Sequence, residues 1–252
     1  MLLTGSSVRA GARTVAGMNL RTFAAAVLTA GLVVPTAPAA ASPPSSTASP
    51  AAVAAARLET RVTIHPYFRH QKYRESFRLS GQVRYRVGGS VYAAQGARVT
   101  LLRQPAGSNR WTTIGTDRTN RTDKPTYAFS VVARFNATYQ VRFAGNTRLQ
   151  PARAEGRVWV HRKVPSHTAQ RSGGLRLVGQ VNPDWRHRRV VLQKRSCRTC
   201  SWHAVRRQRT SAESGFNFGL DAPRSGSWFY RVAVPRTTRY AVSHSASYRT
   251  FS

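Results

Sequence analysis

The amino-acid sequence predicts an all-β protein made of two tandem β-sandwich units, each of about seven strands, behind an export signal and a flexible linker. Three observations predict it. Short segments rich in Val, Thr, Phe, Tyr and Trp alternate apolar and polar residues with a period of two, the pattern of half-buried strands. The motif L-x-G-Q-V occurs twice, as "LSGQV" and "LVGQV", with Gly81 and Gly179 98 residues apart, and the segments after it recur in the same order. No stretch after the linker shows helical periodicity.

Residues 1–41 read as a signal peptide. Arg9, Arg13 and Arg21 precede the uncharged apolar run "FAAAVLTAGLVV", which is too short to span a membrane. Ala37-Pro38-Ala39 and Ala39-Ala40-Ala41 both fit a small-residue cleavage site, which places the cut between Ala39 and Ser42. Met18 is an alternative start, because "MNLRTFAAAVLTAG" is a complete signal by itself. Residues 42–57 begin "SPPSSTASPAAVAAA". They cannot bury a core and read as a flexible Pro/Ser/Ala-rich linker. No cysteine stands near the cleavage site to take a lipid, and "SASYRTFS" is no hydrophobic tail. A transmembrane segment is not expected in the mature chain, which should be secreted and extracellular, free or held to the cell wall.

Residues 58–163 form the first expected unit. "FRLSGQVRYRV" sets Val83, Tyr85 and Val87 on one face and Arg84 and Arg86 on the other. "ARVTLLRQ", "RWTTIGT", "YAFSVV", "ATYQVRFAG" and "AEGRVWVH" follow as strands, with "GSNR" and "GNTR" as turns. Residues 164–252 form the second. "LRLVGQVNPDW", "RRVVLQKR", "SWHAVRR", "FNFGL", "SWFYRVAVP" and "VSHSASYRTF" answer the first series, with turns at "NPD" and "PRSG". Trp111 and Trp202 sit on matching strands and read as core or hairpin packing residues, with ligand stacking as the alternative. This strand count and length suit a sandwich of immunoglobulin type.

The order L-x-G-x-V, V-x-L-x-[RQ], a Gly-rich turn, W-x-x-[IV], an aromatic strand and Y-[QR]-V resembles the immunoglobulin-like, fibronectin-type-III-like repeats of secreted actinobacterial proteins. The resemblance covers about residues 60–252. It implies fold, and it carries no catalytic residues over. The excess of Arg departs from an ordinary repeat of that kind.

The chain has 40 Lys and Arg against 8 Asp and Glu, a formal charge of +32, and Arg outnumbers Lys 36 to 4. A GC-rich genome accounts for the preference for Arg over Lys, but not for the shortage of acids. A field of this sign attracts polyanions. The basic residues cluster in "RHRRVVLQKRSCR" and "RRQR". Arg186, Arg188, Arg189, Lys194, Arg195, Arg198, Arg206, Arg207 and Arg209 are therefore the candidate polyanion-binding residues, on consecutive strands of one hairpin with Trp202 and His203 between. A solvated basic surface with no ligand is the plainer alternative.

Chemistry has little to stand on. The motifs of serine hydrolases, zinc proteases, P-loops and dinucleotide folds are absent. Seven histidines are scattered, and no cofactor or metal is expected. Asp117 and Asp123 lie in a polar loop, where they cap turns and offset nearby Arg. Cys197 and Cys200 could be a redox pair, half a metal site or a staple. Their flanks are strands, a second C-x-x-C is lacking and export favours oxidation, so the reading is a disulfide clip at a hairpin tip, with an exchange-active bond as the alternative. The functional expectation is a non-catalytic binding, adhesion or structural protein whose partner is an anionic cell-wall polymer or acidic polysaccharide. The alternatives are an enzyme, or an enzyme's accessory module, with its site in loop 87–96 or 116–125, and an extracellular nucleic-acid binder.

Overall fold

The computed structural model describes residues 56–66 and 68–252, so the expected signal peptide and nearly all of the expected linker lie outside the described residues. Every regular element described is a strand. The first ten are β1 (Thr60–Val62), β2 (Phe68–Lys72), β3 (Ser76–Gly81), β4 (Val83–Val87), β5 (Ser90–Ala93), β6 (Arg98–Pro105), β7 (Thr112–Arg118), β8 (Tyr127–Val132), β9 (Ala137–Phe143) and β10 (Ala152–His161). Eight follow: β11 (Ser166–Arg171), β12 (Gly174–Gln180), β13 (Arg189–Arg195), β14 (His203–Arg209), β15 (Gly215–Gly219), β16 (Ser227–Val234), β17 (Ser243–His244) and β18 (Tyr248–Phe251).

The strands build a sandwich-type fold around two hydrophobic clusters. Sheets β1-β4-β5 and β3-β8 cover one side of the first core, and β2-β10-β9-β6-β7 the other. Sheets β11-β12-β15 and β14-β13-β16, with β17 and β18 both on β16, enclose the second. The first core runs from Val62 to Val160 and the second from Val164 to Val234. The first half has ten strands because β1 and β2 precede the motif and β4 and β5 form an additional hairpin, and the second has eight because its last strand is split into β17 and β18. Burial also fades along that hairpin. Val83 is buried, Tyr85 is half-buried and Val87 is exposed, since β4 runs out past the core with only β5 and β1 beside it.

The repeat has a physical basis. Leu79 and Leu177 are completely buried, and so, to within a percent, are Val83 and Val181. The glycine between them is fixed by close approach. A Cβ on Gly81 would overlap the carbonyl oxygen of Thr63 and reach the Tyr127 hydroxyl at 2.5 Å. A Cβ on Gly179 would meet the Pro165 oxygen and the Phe216 ring, both at 2.5 Å. The partner strands supply the same position in each case, Gly81 opposite Tyr127 and Gly179 opposite Phe216. Even the irregularities recur. The β6–β7 ladder shifts register between Leu101 and Leu102, and the β13–β14 ladder between Leu192 and Gln193. These β-bulges push Ile114 and Val205 out to solvent.

The segment after β16 ties the two cores together. Asn136 donates its backbone N–H to Arg239 O (2.8 Å) and its Nδ2 to Thr238 O (3.0 Å), and its Oδ1 accepts from Val160 N (2.7 Å). Ala241 N donates to Val160 O, and Arg162 N donates to Ser243 Oγ. Tyr240 packs on the first core and meets Tyr73 edge to face. Hydrogen bonds from both sides thus hold this segment between the cores.

Candidate functional site

Strand β13 buries Val190 and Leu192, so Arg189, Val191, Gln193 and Arg195 point away from the core. Cross-strand register extends that outer face in rows. Arg209 lies opposite Arg189, and Arg207 and Ala233 flank Val191. Arg231 lies opposite Gln193, and Phe229 opposite Arg195. Beyond β16, Arg249 faces Phe229 and His244 faces Ala233.

At the end of this face the loop returning to β14 lays Trp202 across two cations. The guanidinium carbons of Arg195 and Arg231 sit 4.4 and 4.2 Å from the indole centroid, and Arg195 is 5.4 Å from the Phe229 ring. Ring contact holds both cations without a carboxylate. Arg231 Nε donates to Gln193 Oε1 at 2.8 Å, whereas the Nε of Arg195 is buried with no acceptor. Burial, and then the neighbouring Arg195 charge, lower the pKa of Arg231. The cluster therefore carries unneutralised positive charge that a bound anion would relieve.

The two halves differ at this point. The matched bulges set Leu101 against Leu192, and Val141 lies opposite the one as Val232 lies opposite the other. In this register Gln104 stands where Arg195 is and Gln140 where Arg231 is. Among the described residues no cation stands over Trp111. The platform belongs to the second half, where residues 164–252 hold 16 Lys and Arg and only Asp184, Glu213 and Asp221 as acids. None of those acids is on the strands of this sheet.

The nine basic residues read from the sequence do not share one surface. Arg189, Arg195, Arg207 and Arg209 lie on the outer face, and Arg198 is exposed at the hairpin tip next to it. Lys194 points inward, its Nζ 3.5 Å from the Trp228 centroid. Arg206 bridges to the opposite sheet, donating to Gly219 O and pairing with Asp221 at 3.1 Å. Arg186 and Arg188 sit in the loop at the far end, Arg186 paired with Asp184 at 3.1 Å. The reason is the strand period: consecutive basic residues on one strand alternate between faces. Sequence reading missed Arg231, Phe229, His244 and Arg249, which come from strands distant in sequence. An Arg interrupting the central run "FYRVAV" was the available signal.

The hairpin tip is closed by a Cys197–Cys200 disulfide with Cα atoms 5.1 Å apart. The bond clips loop 196–202, which leads from Arg195 at the end of β13 to Trp202 just before β14. Trp185, not Trp202, is the indole of the second core, its Nε1 donating to Arg189 O at 3.0 Å. Three histidines scattered in sequence gather nearby. His161 Nδ1 donates to Val242 O at 2.5 Å, which leaves its Nε2 to accept from His70 Nδ1 at 2.8 Å. His244 has its pKa lowered by burial first, then by Arg231 and His161. Basic and aromatic groups thus follow one another from Trp202 through Arg231 and His244 to His161.

Asp117 is engaged in the fold, its Oδ2 accepting from Ala128 N at 2.8 Å. Among the described residues no group of three His, Cys, Asp or Glu gathers to hold a metal, and no helix is long and apolar enough to cross a membrane. No family model matches the chain, and no curated protein is similar to it.

Proposed function

We propose that the chain is a secreted, non-catalytic binding protein of two immunoglobulin-like modules that holds an anionic cell-wall polymer or acidic polysaccharide on the outer face of the second module. The observation that carries this reading is Trp202 shared by Arg195 and Arg231 on an exposed sheet face without a carboxylate. A flat indole offers its surface to a sugar ring or other planar group. Two guanidinium forks, fixed by ring contact and by Gln193, match carboxylate, phosphate or sulfate oxygens. The cations around them, Arg189, Arg207, Arg209, Arg198 and Arg249, extend the positive field along the strands and suit a polymer better than a single small ligand. The disulfide fits an oxidising, extracellular location.

Retention of the purified chain on immobilised cell wall, on acidic polysaccharide and on single-stranded DNA, each across a salt series, tests this. Retention on cell wall or polysaccharide at low salt, lost steeply as salt rises, is the expected result. Preferential retention on DNA assigns the face to nucleic acid instead, since stacked aromatics among cations suit single strands too. Retention on none of the three contradicts both.

A further inference from the structure

At the far end of the second module, away from Trp202, Arg162 is buried to 5 % exposure between two rings. Its guanidinium carbon is 4.2 Å from the Trp185 centroid and 4.1 Å from that of Tyr240. The rings stabilise the faces of the cation, but its in-plane donors are not served: Nε and Nη1 have no hydrogen-bond partner. No carboxylate pairs with it among the described residues. A buried cation without a counter-ion is costly. Its pKa falls to about 10, through burial first and with Arg188 as a further cause.

Arg162 lines a notch of ≈ 580 Å³ together with Asp184, Arg186, Arg188, Arg239, Thr237 and Thr238. Asp184 is the notch's one acid and is paired with Arg186. Arg188 and Arg239 are exposed and have no ion-pair partner, and each keeps its guanidinium near a ring, 5.1 Å from Trp185 and 5.2 Å from Phe135. Three cations without a carboxylate partner thus line one concave site, whose single acid is taken up by Arg186.

We propose that this notch binds one tetrahedral oxyanion, a phosphate or sulfate group, with Arg162 supplying the wall charge and Arg188 and Arg239 the contacting forks. The hydroxyls of Thr237 and Thr238 are further donors. The notch has room for a group carried on a sugar as well as for a free ion. It is separate from the Trp202 face and does not depend on the polymer reading. Because Arg162 packs on Trp185 of the second core and Arg239 on Phe135 beside the first, the anion also fastens the junction between them.

Thermal unfolding of the whole chain at matched ionic strength tests it, with chloride, inorganic phosphate or glucose 6-phosphate as the added anion. Phosphate at about 20 mM should raise the midpoint by about 4 °C over chloride, and the double variant Arg188→Ala, Arg239→Ala, altered only at exposed positions, should lose the increment. A larger increment with glucose 6-phosphate assigns the site to a carried phosphate, and an equal one to the free ion. Arg162→Met should also lose it, and Arg195→Gln with Arg231→Gln should retain it. Equal midpoints in chloride and both phosphates overturn the proposal, as does an increment that survives in Arg188→Ala, Arg239→Ala and disappears in Arg195→Gln, Arg231→Gln.

Discussion

At the scale of single residues, two positions show what the repeated motif is for. Gly81 and Gly179 leave no space for a Cβ, because a neighbouring backbone oxygen stands in the way. Gly179→Ala should destabilise the chain by about 1–3 kcal/mol or more through forced displacement of backbone, measured as a lowered denaturant midpoint. Gly173→Ala, with nothing within 4 Å of the added atom, is the control and should stay near wild type. Trp202→Ala should weaken polymer binding about tenfold, the scale of one lost stacking contact, and leave the unfolding midpoint nearly unchanged because the ring is only half-buried. His244 makes a pH prediction. Its folded pKa lies below 6.5, so below pH 6.5 the unfolded chain binds more protons than the folded one. Its contribution to stability is therefore full above 6.5 and is lost as pH falls toward the folded pKa. Unfolding midpoints between pH 7.5 and 5 should decline more in wild type than in His244→Gln. A polyanion on the face reverses the shift, so binding below pH 7 should take up protons.

At the scale of elements, the β13–β14 hairpin joins legible and illegible features. Its existence and the clip at its tip follow from alternation and from the C-x-x-C between two strands, whereas its bulged register does not. Which basic residues serve it does not follow, because a cluster in sequence is divided between two faces in a sheet. Lys194 and Arg195 are neighbours in the chain and end on opposite sides, one over Trp228 inside and the other over Trp202 outside. Arg231 joins the platform only through the β13–β16 ladder, a pairing across nearly 40 residues that local pattern cannot reveal. The same holds for β2, which pairs parallel to β10, and for the weakly apolar β11. Converting Cys197 and Cys200 to Ser should cost about 1–2 kcal/mol, since the closed loop is short. Polymer affinity should fall with it if the clip positions Trp202, and binding of the double Ser variant against its unfolding midpoint measures both effects.

At the scale of the whole molecule, the two halves share a plan down to their bulges and differ in charge placement. The first half keeps Gln104 and Gln140 where the second has Arg195 and Arg231, and Gln140 is almost wholly buried beside Glu155. In the proposed function the first half is structural and the second half binds, and the two are joined through Asn136, Tyr240 and Arg162. Nothing in the local sequence of Pro235–Val242 marks it as the connector. Its role depends on carbonyls at Thr238 and Val242 meeting side chains, and the carbonyl of Arg239 meeting a backbone N–H, all more than 80 residues earlier. The most direct measurement gives the second module the residues of the first: binding of Arg195→Gln, Arg231→Gln to a poly(glycerol phosphate) or polyuronate across a salt series. Polymer binding at this face predicts at least a tenfold weaker affinity at low salt and a salt slope reduced by about two. Affinity and slope equal to wild type would contradict it.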